Sequence, residues 1–116
     1  MSRHIESQIQ RACKRWFDIQ YPQFAPLLFA VPNGGLRGKL EAVIMKAEGM
    51  TAGVSDMIFL MSKKGYTSLC IEFKTEKGRQ SPQQKDWQRV VEMNGSKYVI
   101  VRSFEDFVKA ITAYLC

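Results

Sequence analysis

Asp56, Glu72 and Lys74 are the residues of this chain whose types and spacing fit hydrolytic chemistry. Residues 56–62 (DMIFLMS) and 67–74 (TSLCIEFK) read as two strands joined by a turn at Lys63-Lys64-Gly65. With that three-residue loop, antiparallel pairing sets Ser62 opposite Tyr66, Leu60 opposite Ser68 and Asp56 opposite Glu72. Side chains alternate across a strand. Ser68, Cys70, Glu72 and Lys74 therefore share one face, and Leu69, Ile71 and Phe73 share the other. Directly opposed like charges destabilise a strand pair. A divalent cation between them would remove that penalty, because hard cations take carboxylate oxygens. A two-residue loop would shift the register by one and spoil the facing. The same spacing also fits a plainer arrangement, in which Asp56 begins a strand and Glu72 and Lys74 form a surface ion pair.

Two further residues stand in odd places. Glu6 lies on the helical stripe of Ile9, Cys13 and Trp16, where an apolar residue is expected. A carboxylate there needs a partner or a metal, unless it simply favours the helix N-terminus. Gln84 lies one turn before Trp87, and with Ser81 it fits a capping box. A role in the site would require its side chain to leave that cap. Arg37 and Lys39 fall near a helix start, where positive charge opposes the macrodipole, so a phosphate nearby explains them better than stability does. Lys77 and Arg79 follow the Glu72–Lys74 strand and can flank the same substrate. The glycines at 34, 35 and 38 match neither G-x-G-x-x-G nor the P-loop. Trp16 and Trp87 read as core rather than as base-stacking platforms.

The bulk properties narrow the chemistry. The chain has 116 residues, enough for one core and one domain spanning 1–116. Lys plus Arg number 17 against 11 acids, a net charge of +6, which favours a polyanionic partner such as nucleic acid. A single histidine, His4, excludes a two-histidine site within one chain. Its place near a fraying terminus also argues against a Ser-His-Asp triad. Cys13, Cys70 and Cys116 are odd in number and widely spaced, which speaks against a disulfide framework or zinc cluster. Reduced thiols and a cytoplasmic location follow most simply. The first ten residues are polar and helical rather than a signal peptide, and no apolar run approaches membrane-spanning length.

The elements that must position these residues alternate in type. Residues 3–20 predict a helix, with Ile5, Ile9, Ala12, Cys13, Trp16 and Ile19 at helical spacing and Tyr21-Pro22 as its stop. Residues 27–31 (LLFAV) predict a strand, and Pro32-Asn33-Gly34-Gly35 a turn. Residues 37–48 predict a helix with Leu40, Val43, Ile44 and Ala47 inward and Gly49 as its C-terminal cap. After the hairpin, Ser81 caps a helix with Pro82 in its first position and Trp87, Val90 and Val91 as its stripe. Residues 97–102 predict a strand. Ser103 opens a last helix carrying Phe107, Val108, Ile111 and Leu115. The order α-β-α-β-β-α-β-α predicts an α/β fold, a mixed sheet with helices on both faces.

Three stretches in this order resemble the PD-(D/E)XK nucleases: Gly53-Val54-Ser55-Asp56, Ile71-Glu72-Phe73-Lys74 and Ser81-Pro82-Gln83-Gln84. Their virus-type replication-repair branch, VRR-NUC, is the branch matched. Glu6 with Gln10 resembles its first-helix motif, Pro32-Asn33-Gly34-Gly35 with Arg37 its N-and-R segment, and Gly49 through Asp56 its G-x-x-x-G-x-P-D stretch. Ser55 departs from the pattern, standing where the family usually has proline. The resemblance implies a restriction-endonuclease-like core around Mg²⁺ or Mn²⁺. The ion would be bound by Asp56 and Glu72, with the Phe73 carbonyl as a further ligand and Glu6 completing the site directly or through water. It implies that Lys74 orients the attacking water and stabilises charge on the phosphate, and that Gln84 positions Lys74 or the phosphate. Asn33, Arg37, Lys39, Lys77 and Arg79 would contact DNA. It further implies a homodimer acting on branched DNA such as a Holliday junction, in a bacterial cell or phage-infected host. Two other functions fit the same chain: an idle nucleic-acid-binding module of this fold, and a sequence-reading restriction nuclease, for which the chain has few residues to spare.

Overall fold

The computed structural model describes residues 2–32 and 38–116. Asn33 and Arg37, both expected to contact DNA, lie outside the described residues. The first helix, α1, runs Ser2–Gln20. It ends where Tyr21 N–H closes onto the Phe17 carbonyl at 2.8 Å and Pro22 follows. A short 3₁₀ helix, Pro22–Leu27, comes next, which the sequence reading did not foresee. It brings Phe24 and Leu27 onto the core and delivers the chain to β1, Leu28–Ala30.

The sheet continues with β2 (Met57–Phe59), β3 (Leu69–Phe73) and β4 (Lys97–Val101), in spatial order β1-β2-β3-β4. The first three strands are antiparallel, and β4 runs parallel to β3. A parallel pair needs a crossover, and α3, Pro82–Met93, supplies it. The last helix, α4, runs Phe104–Leu115 after the Ser103 cap, whose Oγ accepts from Asp106 N–H at 3.1 Å. The predicted order of elements therefore holds, and the sheet is mixed.

The two faces of β3 divide the molecule. Leu69, Ile71 and Phe73 join Met57, Phe59 and Val101 beneath α1 and α4, which contribute Cys13, Phe17, Phe107, Ile111 and Tyr114. Trp16 closes this core edge-on against Tyr21, Phe104 and Phe107. Cys70 and Glu72 project to the other face. There Tyr98, the register partner of Cys70, meets Trp87 of α3 edge-on at 6.2 Å.

The hairpin differs from expectation in its turn but not in its register. Lys63 and Tyr66 form the closing pair, so the loop is the two residues Lys64 and Gly65, both at positive φ (53° and 86°). That is the geometry that suits the twist of a tight hairpin. Ser62 and Leu60 do not pair with Tyr66 and Ser68 as predicted. Three residues, 60–62, instead span the stretch that two, Thr67 and Ser68, span on the return side. The extra residue restores the register lost at the turn, as a bulge does. Met57 faces Ile71 and Phe59 faces Leu69, so the next pair along is Asp56 and Glu72.

The second helix, α2 (Lys39–Ala47), forms where predicted, and Gly49 ends it at φ 111°. Its predicted inward face is not inward. Leu40 is 75% exposed, Val43 65% and Ile44 48%, and no residue of α2 is buried. The periodicity is real, but the described residues place no element over it.

Candidate active site

Three local devices bring the polar face of β3 to a point. The first is the strand register. Asp56 lies just before β2, with its carbonyl accepting from Val31 N–H at 2.8 Å. Its Oδ2 accepts the Phe73 N–H at 2.7 Å, so the carboxylate caps the end of the ladder across from Glu72. A strand residue's N–H and C=O point to the same neighbour, which turns the Phe73 carbonyl toward the Asp56 side. Ser55, the departure from the family's proline, is fully buried and donates its hydroxyl to the Met57 carbonyl at 3.1 Å. The polar side chain is thus satisfied locally, and Asp56 keeps its place.

The second device is the cap of α3. Ser81 Oγ accepts from Gln84 N–H at 3.2 Å, and Gln84 Oε1 accepts from Ser81 N–H at 2.9 Å. Gln84 Nε2 meanwhile donates to Glu72 Oε2 at 3.0 Å. The two roles of Gln84 do not compete, because an amide has an acceptor end for the cap and a donor end for the carboxylate. Its partner is Glu72, not Lys74.

The third device is Gly53. Its φ is +85°, and a Cβ there would stand 2.4 Å from the Gln83 carbonyl oxygen. Only glycine permits both this backbone and this contact. The first turn of α3 therefore seats directly against the segment leading into Asp56.

Glu72 is 2% exposed. Its Oε2 holds Gln84 and lies 3.9 Å from Lys74 Nζ. Its Oε1 is buried with no hydrogen-bond partner. Burial, then the charge of Asp56, push the Glu72 carboxyl up to about 8; Lys74 opposes the rise, and Asp56 as a bonding partner and Glu6 add to it. A buried carboxylate oxygen without a donor costs free energy. A cation beside it would remove that cost and hold the proton off. The donor set, two carboxylates and a main-chain carbonyl, is the oxygen chemistry that Mg²⁺ and Mn²⁺ accept.

Glu6 is half-buried on α1 and acts on Glu72 through its charge. Among the described residues no three His, Cys, Asp or Glu side chains converge to hold a metal. Glu6 acts on Glu72 across a gap rather than in a tight three-carboxylate cluster. Lys39 is exposed at the start of α2. Lys46, two turns along the same helix, lines the cleft of about 500 Å³ between α2 and the Gln84 turn.

Lys77 and Arg79 line a groove of about 560 Å³ that also takes in Ile100, the ladder partner of Glu72, and the cations Lys85 and Arg102. Those last two escaped the sequence reading. Lys85 follows Gln84 on α3, and Arg102 reads only as the end of a strand. No local signal marks either residue, since the β3–β4 crossover brings them together.

The comparisons with known proteins bear on the family and the fold. A family model of the VRR-NUC domain matches residues 5–105. A solved structure described as a VRR_NUC domain protein superposes with a TM-score of 0.83 at 22% identity, over 95% of this chain and 87% of that one. No curated protein gives a match. Among the described residues no helix is long and apolar enough to cross a membrane.

Proposed function

The chain belongs to the VRR-NUC family, a nuclease-type fold, and from that premise we propose that it is a metal-dependent, structure-selective DNA endonuclease. One observation carries the reading above the others. Glu72, buried and facing Asp56 with Lys74 alongside, keeps one oxygen without a donor. A protein tolerates such a group where a ligand completes it.

Asp56, Glu72 and the Phe73 carbonyl would hold Mg²⁺ or Mn²⁺, which when bound supplies Lewis acidity toward the phosphate and an activated water. The remaining work falls to the chain itself. Gln84 pins Glu72 Oε2, so Oε1 is the oxygen left facing the site. Lys74, tethered near the same carboxylate, orients the attacking water and stabilises charge growing on the phosphate. Lys77 and Arg79 hold the DNA backbone, which fixes register without reading sequence. The uncovered apolar face of α2 supports a homodimer, because monomers rarely leave such patches open. Two sites related by a two-fold axis suit a branched substrate.

Cleavage of labelled four-way junction, flap and linear duplex DNA tests this, with Mg²⁺, Mn²⁺ or EDTA. Cutting should need the metal and favour the branched forms. Asp56→Ala and Lys74→Ala should each lower the rate by at least about 100-fold while DNA binding survives. A wild-type rate in either variant overturns the assignment. Binding without cutting in any metal points instead to the idle module.

A further inference from the structure

Lys74 stands where the sheet lets go of the chain. β3 ends at Phe73, and beyond it the Lys74 N–H still donates to the Val101 carbonyl at 3.0 Å. A lysine carries its ammonium on a long flexible stem, so one backbone bond does not fix where Nζ stands. Yet the Lys74 side chain is only 13% exposed, and its Nζ lies 3.9 Å from Glu72 Oε2.

The turn that follows supplies the missing support. Gly78 N–H closes onto the Thr75 carbonyl at 3.1 Å, which folds residues 75–78 back toward the strand end. A Cβ at Gly78 would stand 3.5 Å from Lys74 Cβ and 3.2 Å from Thr75 Oγ1, so the turn abuts the base of the Lys74 stem. A surface turn closed by one bond opens readily. This one is pinned by a distant side chain. Arg102 Nη1 donates to the carbonyls of Thr75, Glu76 and Gly78 at 2.8, 3.2 and 2.7 Å. Bonds from a charged donor are stronger than neutral ones. Arg102 is itself held at its base. It follows Val101, whose carbonyl takes the Lys74 N–H, and its own N–H donates to Asp106 Oδ2 in the first turn of α4 at 3.1 Å. The sheet and α4 together anchor an arm that reaches across to the turn.

We propose that Arg102 is a positioning residue for the hydrolysis: it locks the 75–78 turn against Lys74 and so holds the ammonium where it meets the attacking water. This rests on the reading of Lys74 as the group that orients that water. Arg102 acts through Lys74, its Nη1 donors being spent on the turn.

Two substitutions in the whole chain separate the bonds from the bulk. Arg102→Met keeps an apolar stem and removes every donor. Arg102→Lys offers the same carbonyls an ammonium with three donors. Hydrogen exchange in EDTA, without DNA, reads the turn. The Gly78 and Lys74 amides should exchange faster in Arg102→Met and close to the wild-type rate in Arg102→Lys. Unchanged exchange in Arg102→Met overturns the clamp. Single-turnover cleavage with Mg²⁺ at saturating DNA reads the consequence. Arg102→Met should fall by about 10- to 100-fold, the scale of a misplaced catalytic group, and Arg102→Lys should recover most of the loss. Added to Lys74→Ala, Arg102→Met should lower the rate no further, because residues that act as a unit are not additive. A further fall of the same size there overturns action through Lys74. DNA binding in EDTA should keep its salt dependence in Arg102→Met. A log–log slope reduced by ~0.9 would make Arg102 a phosphate contact and overturn the positioning role. Faster exchange with an unchanged cleavage rate also overturns that role and leaves the nuclease reading intact. The nuclease reading fails separately, on a wild-type chain that cuts in no metal, and the exchange result then still decides whether Arg102 holds the turn.

Discussion

β3 and α2 are both short and rich in apolar residues, LCIEF and the core of KLEAVIMKA, yet they end in opposite environments. All five residues of β3 are buried, and none of α2 is. β3 has strands on both edges, α1 and α4 over one face and the first turn of α3 against the other, so even Glu72 is carried inside. A helix buries its stripe only if another element lies over it. The difference separates what a segment can bury from what the fold gives it to bury against.

Mutation can widen or close that gap. The largest effect is expected at Ile71, fully buried between α1 and α4. Ile71→Ala should cost about 2–5 kcal/mol in denaturant unfolding. A loss below about 0.5 kcal/mol, the range of an ordinary surface change, would mean that β3 is less enclosed than the structure places it.

Next comes Glu72, the charge that β3 carries inward. Its carboxyl is raised from an ordinary 4.5 to about 8, so the folded chain holds the proton more tightly than the unfolded one. In EDTA, this contribution to stability is full below about 4.5 and is lost as pH rises through about 8. Glu72→Gln should flatten that slope. Magnesium at a hundred times its dissociation constant should add about 2.7 kcal/mol to the wild type and little to the variant. Equal stabilisation of both proteins would show that the ion binds elsewhere.

The smallest effect is expected on α2. Ile44→Ala should change stability by no more than about 0.5 kcal/mol, as befits a half-exposed side chain. A larger loss that deepens on dilution would show that a second copy covers this face, and α2 would then bury its stripe after all, between chains.

The same contrast explains what could be read in advance. The helices and strands were legible because their periodicities and caps are local: Ser81-Pro82 and Ser103 begin helices, and Gly49 ends one. The alternation of β3 assigned Glu72 and Lys74 to one face and Leu69, Ile71 and Phe73 to the other, before any contact was known. The facing of Asp56 and Glu72 came out as expected by a different route, a tight turn offset by an extra residue, since alternation fixes the face of a side chain but not the loop. The inward placement of α2 failed because a stripe carries no information about its partner.

By itself the sequence determined the element order, the chemical types gathered on one strand face and the basic balance that favours a polyanion. These depend on neighbours a few residues apart, within reach of backbone geometry. Only the tertiary structure decided that Gln84 serves the cap and Glu72 at once, and that Arg102 ties down the 75–78 segment carrying Lys77. Each of these depends on groups distant in sequence, and only the packing of the sheet brings them together.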